Sequence, residues 1–467
     1  MNVELLGKPV DGLDEALAAV ESFDRALVGG LLRPQPGDGV GLVALAEAVA
    51  ASPLASRVAE AAEKSAVGAG AEEHFMALAA ARTALLGAAH DALSARVFEA
   101  TGRSAAAEPA VPAPAPPAAA SPNLLAAARS WLCDLARAGW QGLDHDVVAG
   151  AAPVVSAMLP DPGLRRLAML LDGFAAELAA CSPGAGTDRF PLRRWADLWA
   201  RGMLLAHPGH AAATASATAP VTGRLLPLGV DLHEHPTGVQ AQVHAVLEPA
   251  DGTAARLVRA SVSVPKPEAI VGAGVWQLLR PRMSLLAALA EGRWLDLTGM
   301  PVTAGGDLLW SDDLARPGGP ADPFATARVS LPATVGCWTA PLDRHPALLA
   351  EPVFLEGYAA HEQDGALTFT LAGHVLEVDV DRIPSASPLT PKAVAASQAC
   401  IGLLRWDAGR FRVQPLAVAS TRGRKPGSLQ AGAWAAGTSD KDGAKAEKAA
   451  TDAVQVLRER AGKLLRS

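Results

Sequence analysis

Residues 230–247, VDLHEHPTGVQAQVHAVL, decide how the chain is read, because a helical pattern gives way here to a two-residue one. Two runs that alternate apolar and polar side chains flank Pro236-Thr237-Gly238. Turn-forming residues between alternating runs are the local signature of a β-hairpin. With Thr237 and Gly238 as the loop, Pro236 faces Val239 and His235 faces Gln240. Successive side chains of a strand point to opposite sides. One face therefore carries Val230, Leu232, Val239, Ala241, Val243 and Ala245, with Glu234 as its one polar member. The other carries Asp231, His233, His235, Gln240, Gln242 and His244. The apolar face is expected to seed a core, and alternation alone makes the polar face a solvated one.

Upstream the period is helical. Leu13, Leu17, Val20, Phe23 and Leu27 recur at helical spacing after Asp11 and Asp14, and Gly29-Gly30 ends the run. Further helices are expected at about 39–51, after Ser52-Pro53, and at 72–100 with Gly102 as the stop. The Ala/Pro run at 104–122 cannot build a core and reads as a semi-rigid linker. Its PxxP sites, Pro109–Pro112 and Pro114–Pro117, have no basic neighbour to suit a proline-motif receptor. A second helical domain is expected over 123–207, followed by a flexible joint at 208–220.

Downstream the period is two. Strands are expected at about 223–230, 255–264, 294–297, 308–310, 327–331 and 374–380, with one helix at 284–291. Two further hairpins are expected, one within 352–370 turning at Asp364-Gly365 and one within 400–418 turning at Asp407-Ala408-Gly409. From Lys441, Ala450, Val454, Leu457, Ala461, Leu464 and Leu465 line one face of a helix that ends in basic residues. The expected fold is α+β and multi-domain. Helical modules (1–103 and 123–207) precede a mainly antiparallel β domain (221–436) and a C-terminal amphipathic helix (437–467).

Composition removes several function classes. Half the residues are hydrophobic and 19% are charged, below the roughly 25% usual for soluble domains, which argues against a disordered chain. A net charge of −7 leaves no global basic footprint, so neither nucleic acid nor an anionic membrane is the expected partner. Cys133, Cys181, Cys337 and Cys400 form no CxxC pair and suggest no thiolate zinc site. Reduced thiols, no signal-peptide pattern and no apolar run of membrane length point to the cytoplasm.

Four constellations have chemical potential. Asp231, His233, His235 and His244 share a strand face, and imidazoles at that spacing with a carboxylate could hold a divalent metal ion. No other cofactor is suggested. Glu377, Asp379 and Asp381 align on another strand, where charged residues on a solvated face are the simpler reading. Trp195 and Trp199 lie four apart on one helix face with Arg193, Arg194 and Arg201 around them, a composition found at interface hot spots and also in a packed helix with a solvated rim. Arg422, Arg424 and Lys425 sit in a loop where they could meet an anion. HExxH, GxSxG, P-loop and dinucleotide fingerprints are absent.

The runs RWADLWARGMLLA (194–206) and TGRLLPLGVDLHEH (222–235) resemble a group of uncharacterised proteins of high-GC bacteria that tend to be encoded beside MoxR-type ATPases and von Willebrand A-domain proteins. The resemblance covers about residues 190–300. It implies an accessory or client-binding role and assigns no residue a function. A related group carries a SWIM-type zinc motif, which the cysteines here do not match. The expected function is a non-catalytic interaction or accessory protein with a protein partner, in a system that contains an ATPase. The rival readings are a metal-dependent enzyme built on the histidine face and a small-ligand-binding β domain.

Overall fold

The computed structural model describes residues 1–106, 121–181, 191–208, 218–235, 238–267, 270–280, 284–385, 387–420, 427–438 and 441–464. Both PxxP sites, the bulk of the two expected linkers and the Arg422/Arg424/Lys425 loop lie outside these residues.

Among the described residues ten α-helices come first: α1 (Val3–Leu6), α2 (Leu13–Gly29), α3 (Pro36–Ala48), α4 (Ala55–Ala66), α5 (Glu72–Thr101), α6 (Pro122–Ala138), α7 (His145–Ala149), α8 (Ala151–Met158), α9 (Arg165–Cys181) and α10 (Leu192–Leu205). Their ends follow local chemistry. Gly102 and Gly139, both at positive φ, close α5 and α6. The Asp144 carboxylate accepts from the Val147 N–H and caps α7. α7 and α8 part at Gly150, ahead of Pro153.

The two helical stretches share one core. Phe23, Leu42 and Phe75 from the first are buried in the same cluster as Trp131, Trp140, Phe174, Trp195 and Trp199 from the second. The rings of Phe23 and Trp199 lie 6.2 Å apart, and the Trp199 indole N–H donates to the Leu132 carbonyl at 2.9 Å. A fully buried ion pair pins the module: Arg82 of α5 donates to both oxygens of Asp24 of α2, at 2.7 and 3.0 Å. The same guanidinium reaches the Arg193 carbonyl at the start of α10.

The β body begins with β1 (Thr218–His235), β2 (Gly238–Pro249), β3 (Arg256–Pro265), β4 (Arg293–Thr303), β5 (Asp307–Leu308) and β6 (Ala315–Pro320). β1 is long enough to pair with β2 along its C-terminal part and with β4 along its N-terminal part. With β2–β3, β3–β5 and β5–β4 pairings the strands close a circuit, and β6 extends it from β4. A second sheet runs β7 (Glu351–Glu356), β11 (Ala399–Asp407), β12 (Arg410–Ser420), β10 (His374–Val378), β9 (Ala366–Leu371) and β8 (Ala359–Gln363), with β13 (Gly427–Gln430) beside β12. Both expected turns form: Asp364-Gly365 and Ala408-Gly409 take the positive φ values that a tight hairpin demands.

The remaining helices are α11 (Gly274–Leu279), α12 (Ser284–Glu291), α13 (Pro323–Val329), α14 (Pro391–Ala395) and α15 (Lys441–Leu464). The strand expected at 327–331 is a correction, since most of it belongs to α13 or to the short 3-10 turn that follows. Asp322 caps the Phe324 N–H and Pro323 presets the first helical turn, so local capping overrides the β-branched composition. α11 has no counterpart in the sequence reading, although Trp276 makes it a core element.

The helical module is joined to the body by packing and by charge. α1 and the C-terminal half of α5 (Leu93, Val97, Ala100) belong to the β-body core. Asp343 accepts from Arg166 of α9 at 3.0 Å and from Arg201 of α10 at 3.3 Å, Arg344 pairs with Asp91 of α5 at 3.0 Å, and Arg103 pairs with Glu351 of β7 at 3.3 Å. Among the described residues no helix is long and apolar enough to cross a membrane.

Candidate functional site

The hairpin of β1 and β2 pairs Asp231 with Gln242, His233 with Gln240 and His235 with Gly238. This register is two residues away from the one the sequence suggests. A two-residue shift preserves which side each residue faces, so the predicted apolar and polar faces both survive. Val230, Val239, Ala241, Val243 and Ala245 are buried in the core with Trp276 and Leu279 of α11 and Leu285 and Leu289 of α12.

The polar face is not solvated as expected. The strand irregularity between Pro227 and Gly229 shifts the β1–β2 register. Before it, Leu226 meets Ile401 and Ala417 of the second sheet in one apolar cluster. After it, Gly229, Asp231 and His233 take that side, because one extra residue reverses the alternation. Gly229 is required there: a Cβ would lie 2.7 Å from the Leu416 side chain. Asp231 and His244 are thereby buried between the sheets.

A buried carboxylate must be paired. Arg405 of β11 donates to Asp231 Oδ2 at 2.5 Å, and Gln414 of β12 donates to Oδ1 at 2.8 Å. Arg405 Nε also donates to Gln414 Oε1 at 2.5 Å, so the three side chains form a closed ring of hydrogen bonds. His233 Nε2 lies 2.8 Å from the same Oδ2. Burial pushes the Asp231 pKa up, but the His233 hydrogen bond, the Arg405 charge and Gln414 outweigh it and hold the carboxyl well below the usual carboxylate range.

An ionised carboxylate only accepts, so His233 Nε2 carries the hydrogen of this contact and Nδ1 is the ring's other, outward nitrogen. The ring is about half exposed, on a cleft of roughly 330 Å³ between residues 231–234 and 381–385. This arrangement can orient one imidazole as a proton acceptor or as a single metal ligand backed by a carboxylate. It does not make the four-residue metal set. Asp231 has its oxygens engaged, His244 is fully buried, and His235 sits at the exposed hairpin tip. Among the described residues no group of three or more His, Cys, Asp or Glu side chains converges in a metal-holding arrangement.

His244 has a different consequence. Burial pushes its pKa down to about 3, and its Nε2 has no hydrogen-bond partner among the described residues. Unfolded, an imidazole titrates near 6.5. Between those values the unfolded chain binds a proton that the folded chain refuses. Acidification from about pH 6.5 to 3 therefore costs the fold up to about 1.4 kcal/mol per pH unit from this one residue. Urea midpoints measured across that range should fall less steeply for His244→Leu than for the parent, and parallel curves would refute the assignment.

Trp195 and Trp199 are corrections to the partner-anchor reading. Both are fully buried, Trp195 edge-on to Trp140 at 5.9 Å, so they hold the module's own core. Arg193 pairs with Glu21 at 2.8 Å, Arg194 with Glu177 at 2.9 Å, and Arg201 with Asp197 at 2.8 Å. The expected alignment of three carboxylates on one strand is a correction. β10 ends at Val378, Asp379 stands at the head of the short 3-10 turn Val380–Arg382 and pairs with Arg382, and Asp381 lies exposed within that turn. Glu377, on the strand, pairs with Arg410 and Arg412.

Arg405 and Gln414 are the site residues that sequence reading missed. They stand 174 and 183 positions from Asp231, beyond any local pattern. A signal existed: each interrupts a nearly continuous apolar strand, CIGLLRW and FRVQPLAV, and a polar residue on such a strand calls for a buried partner. No family model, no curated protein and no solved structure matches this chain.

Proposed function

We propose that the chain is a non-catalytic interaction protein, an accessory component that works in the cytoplasm by docking a protein helix on the corner between α3 and α4. One observation carries the reading. Leu32, Val40, Val43 and Val67 are 55, 69, 50 and 74% exposed, a density of uncovered aliphatic side chains that a self-contained bundle has no use for. They are neighbours. A Cβ on Gly68 would lie 2.5 Å from the Leu32 carbonyl oxygen, and one on Gly39 would lie 4.0 Å from the Ala66 Cβ. α3 has charged residues only at Asp38 and Glu47, so its outer side is as apolar as its inner one. The resemblance to proteins encoded beside MoxR-type ATPases supports an accessory role in the same sense.

The test is cross-linking in the native host followed by affinity capture, with Val40→Asp/Val43→Asp as the control. Both positions are exposed, so the variant should keep the parent's circular dichroism and melting temperature. A protein cross-linked to the parent and lost from the variant is the expected result. Identical cross-linked sets from both would overturn the proposal.

A further inference from the structure

We infer that the occupant of the α3–α4 corner is the basic C-terminal half of α15 from a second copy of this chain. The inference rests on the docking role proposed for that corner and names its partner. Among the described residues the polar contacts that root α15 on the body come from its first half. Arg280 pairs with Glu447 at 2.7 Å, Gln277 donates to the Glu447 carbonyl and to Thr451, and Gly274 admits Ala450 at a distance where a Cβ would clash. From Asp452 to Lys463 every residue is exposed or half-exposed. That free half still carries an apolar seam. Beyond Ala450, which packs on Gly274, the same face continues as Val454, Leu457 and Ala461 at the three- and four-residue spacing by which one helix packs along another.

Charge selects the surface the seam fits. The free half holds Arg458, Arg460 and Lys463 against Asp452 and Glu459, with all three cations in its last six residues. Residues 1–101 hold seven Lys and Arg against fourteen Asp and Glu, a deficit equal to that of the whole chain. At the corner, Glu47 lies one turn beyond Val43 on α3, and Glu60 and Glu63 lie on the Val67 side of α4; Arg33, Arg57 and Lys64 are the nearby cations. The twelve free residues 452–463 span about 18 Å as helix, against about 20 Å for α3. Pairing α15 with another α15 would bring Arg458, Arg460 and Lys463 toward their own copies, whereas the corner offers carboxylates. Because each copy has both surfaces, the contact can be made twice about a two-fold axis or can propagate head to tail.

Sedimentation of the full chain over a wide concentration range tests this. The parent should self-associate, more weakly at high salt. Val40→Asp/Val43→Asp on the corner and Leu457→Asp on the helix should each weaken association about tenfold or more. The reversal Glu60→Lys/Glu63→Lys should do the same and be rescued by Arg458→Glu/Arg460→Glu in the same chain. A parent that stays monomeric throughout would overturn the inference. So would self-association that survives the corner variant, which is the signature of α15 pairing with α15. Corner-dependent capture of a different protein by a monomeric parent would sink this inference and leave the docking role standing. Capture indifferent to the corner would remove both.

Discussion

Asp231→Ala should cost the fold about 3–5 kcal/mol, the usual penalty for stripping one partner from a buried ion pair. The loss arises because Arg405, with only 8% of its side chain exposed, would keep its charge with Gln414 as its remaining side-chain hydrogen-bond partner among the described residues. Denaturant unfolding gives the number. The double variant Asp231→Leu/Arg405→Met should lose less than the single one, because it removes both charges together. A single-variant loss below about 1 kcal/mol would show the pair to be solvated and the account of the inter-sheet layer to be mistaken. The pH dependence has a fixed sign. The folded pKa of Asp231 lies below its unfolded value near 3.8, so its stabilisation is complete above that value. It is lost as pH falls through the lower folded value. The difference between parent and Asp231→Ala should therefore hold constant near neutrality and shrink below about pH 4.

Arg82→Met is expected to match that loss, at about 3–5 kcal/mol, in the other half of the molecule. Asp24 is completely buried, and both of its oxygens accept from this one guanidinium. Removing the guanidinium also frees the Arg193 carbonyl and loosens the start of α10 against α2 and α5. Trp131, Trp140, Trp195 and Trp199 report on this core, so unfolding followed by tryptophan emission should shift to lower denaturant. Asp24→Asn/Arg82→Met should recover part of the loss. An Arg82→Met protein as stable as the parent would contradict the buried pairing.

The parts of the fold that depend on local chemistry were legible in the chain. The stop at Gly102 and the hairpin turns at Asp364-Gly365 and Ala408-Gly409 act over a few residues. So does the alternation that sorted the β1–β2 side chains into two faces. What covers each face is a long-range fact. Solvent and a second sheet leave the same alternating pattern, so Asp231 and His244 read as surface residues. The Trp195/Trp199 stripe has the same ambiguity, because an interface and a core both want aromatic residues four apart. The strand assignment at 327–331 failed because the Asp322-Pro323 start lies outside the stretch whose composition was weighed.

The irregularity at Pro227/Gly229 works as a phase shifter. One unbroken strand serves two interiors, meeting the second sheet through Leu226 on one side of the shift and through Asp231 on the other. The body therefore has no seam along which it can divide. Chain synthesis delivers β1 almost two hundred residues before Arg405 and Gln414, and until β11 and β12 arrive that strand carries a charge with no counter-ion of its own. The last hairpin made is the one that completes the first.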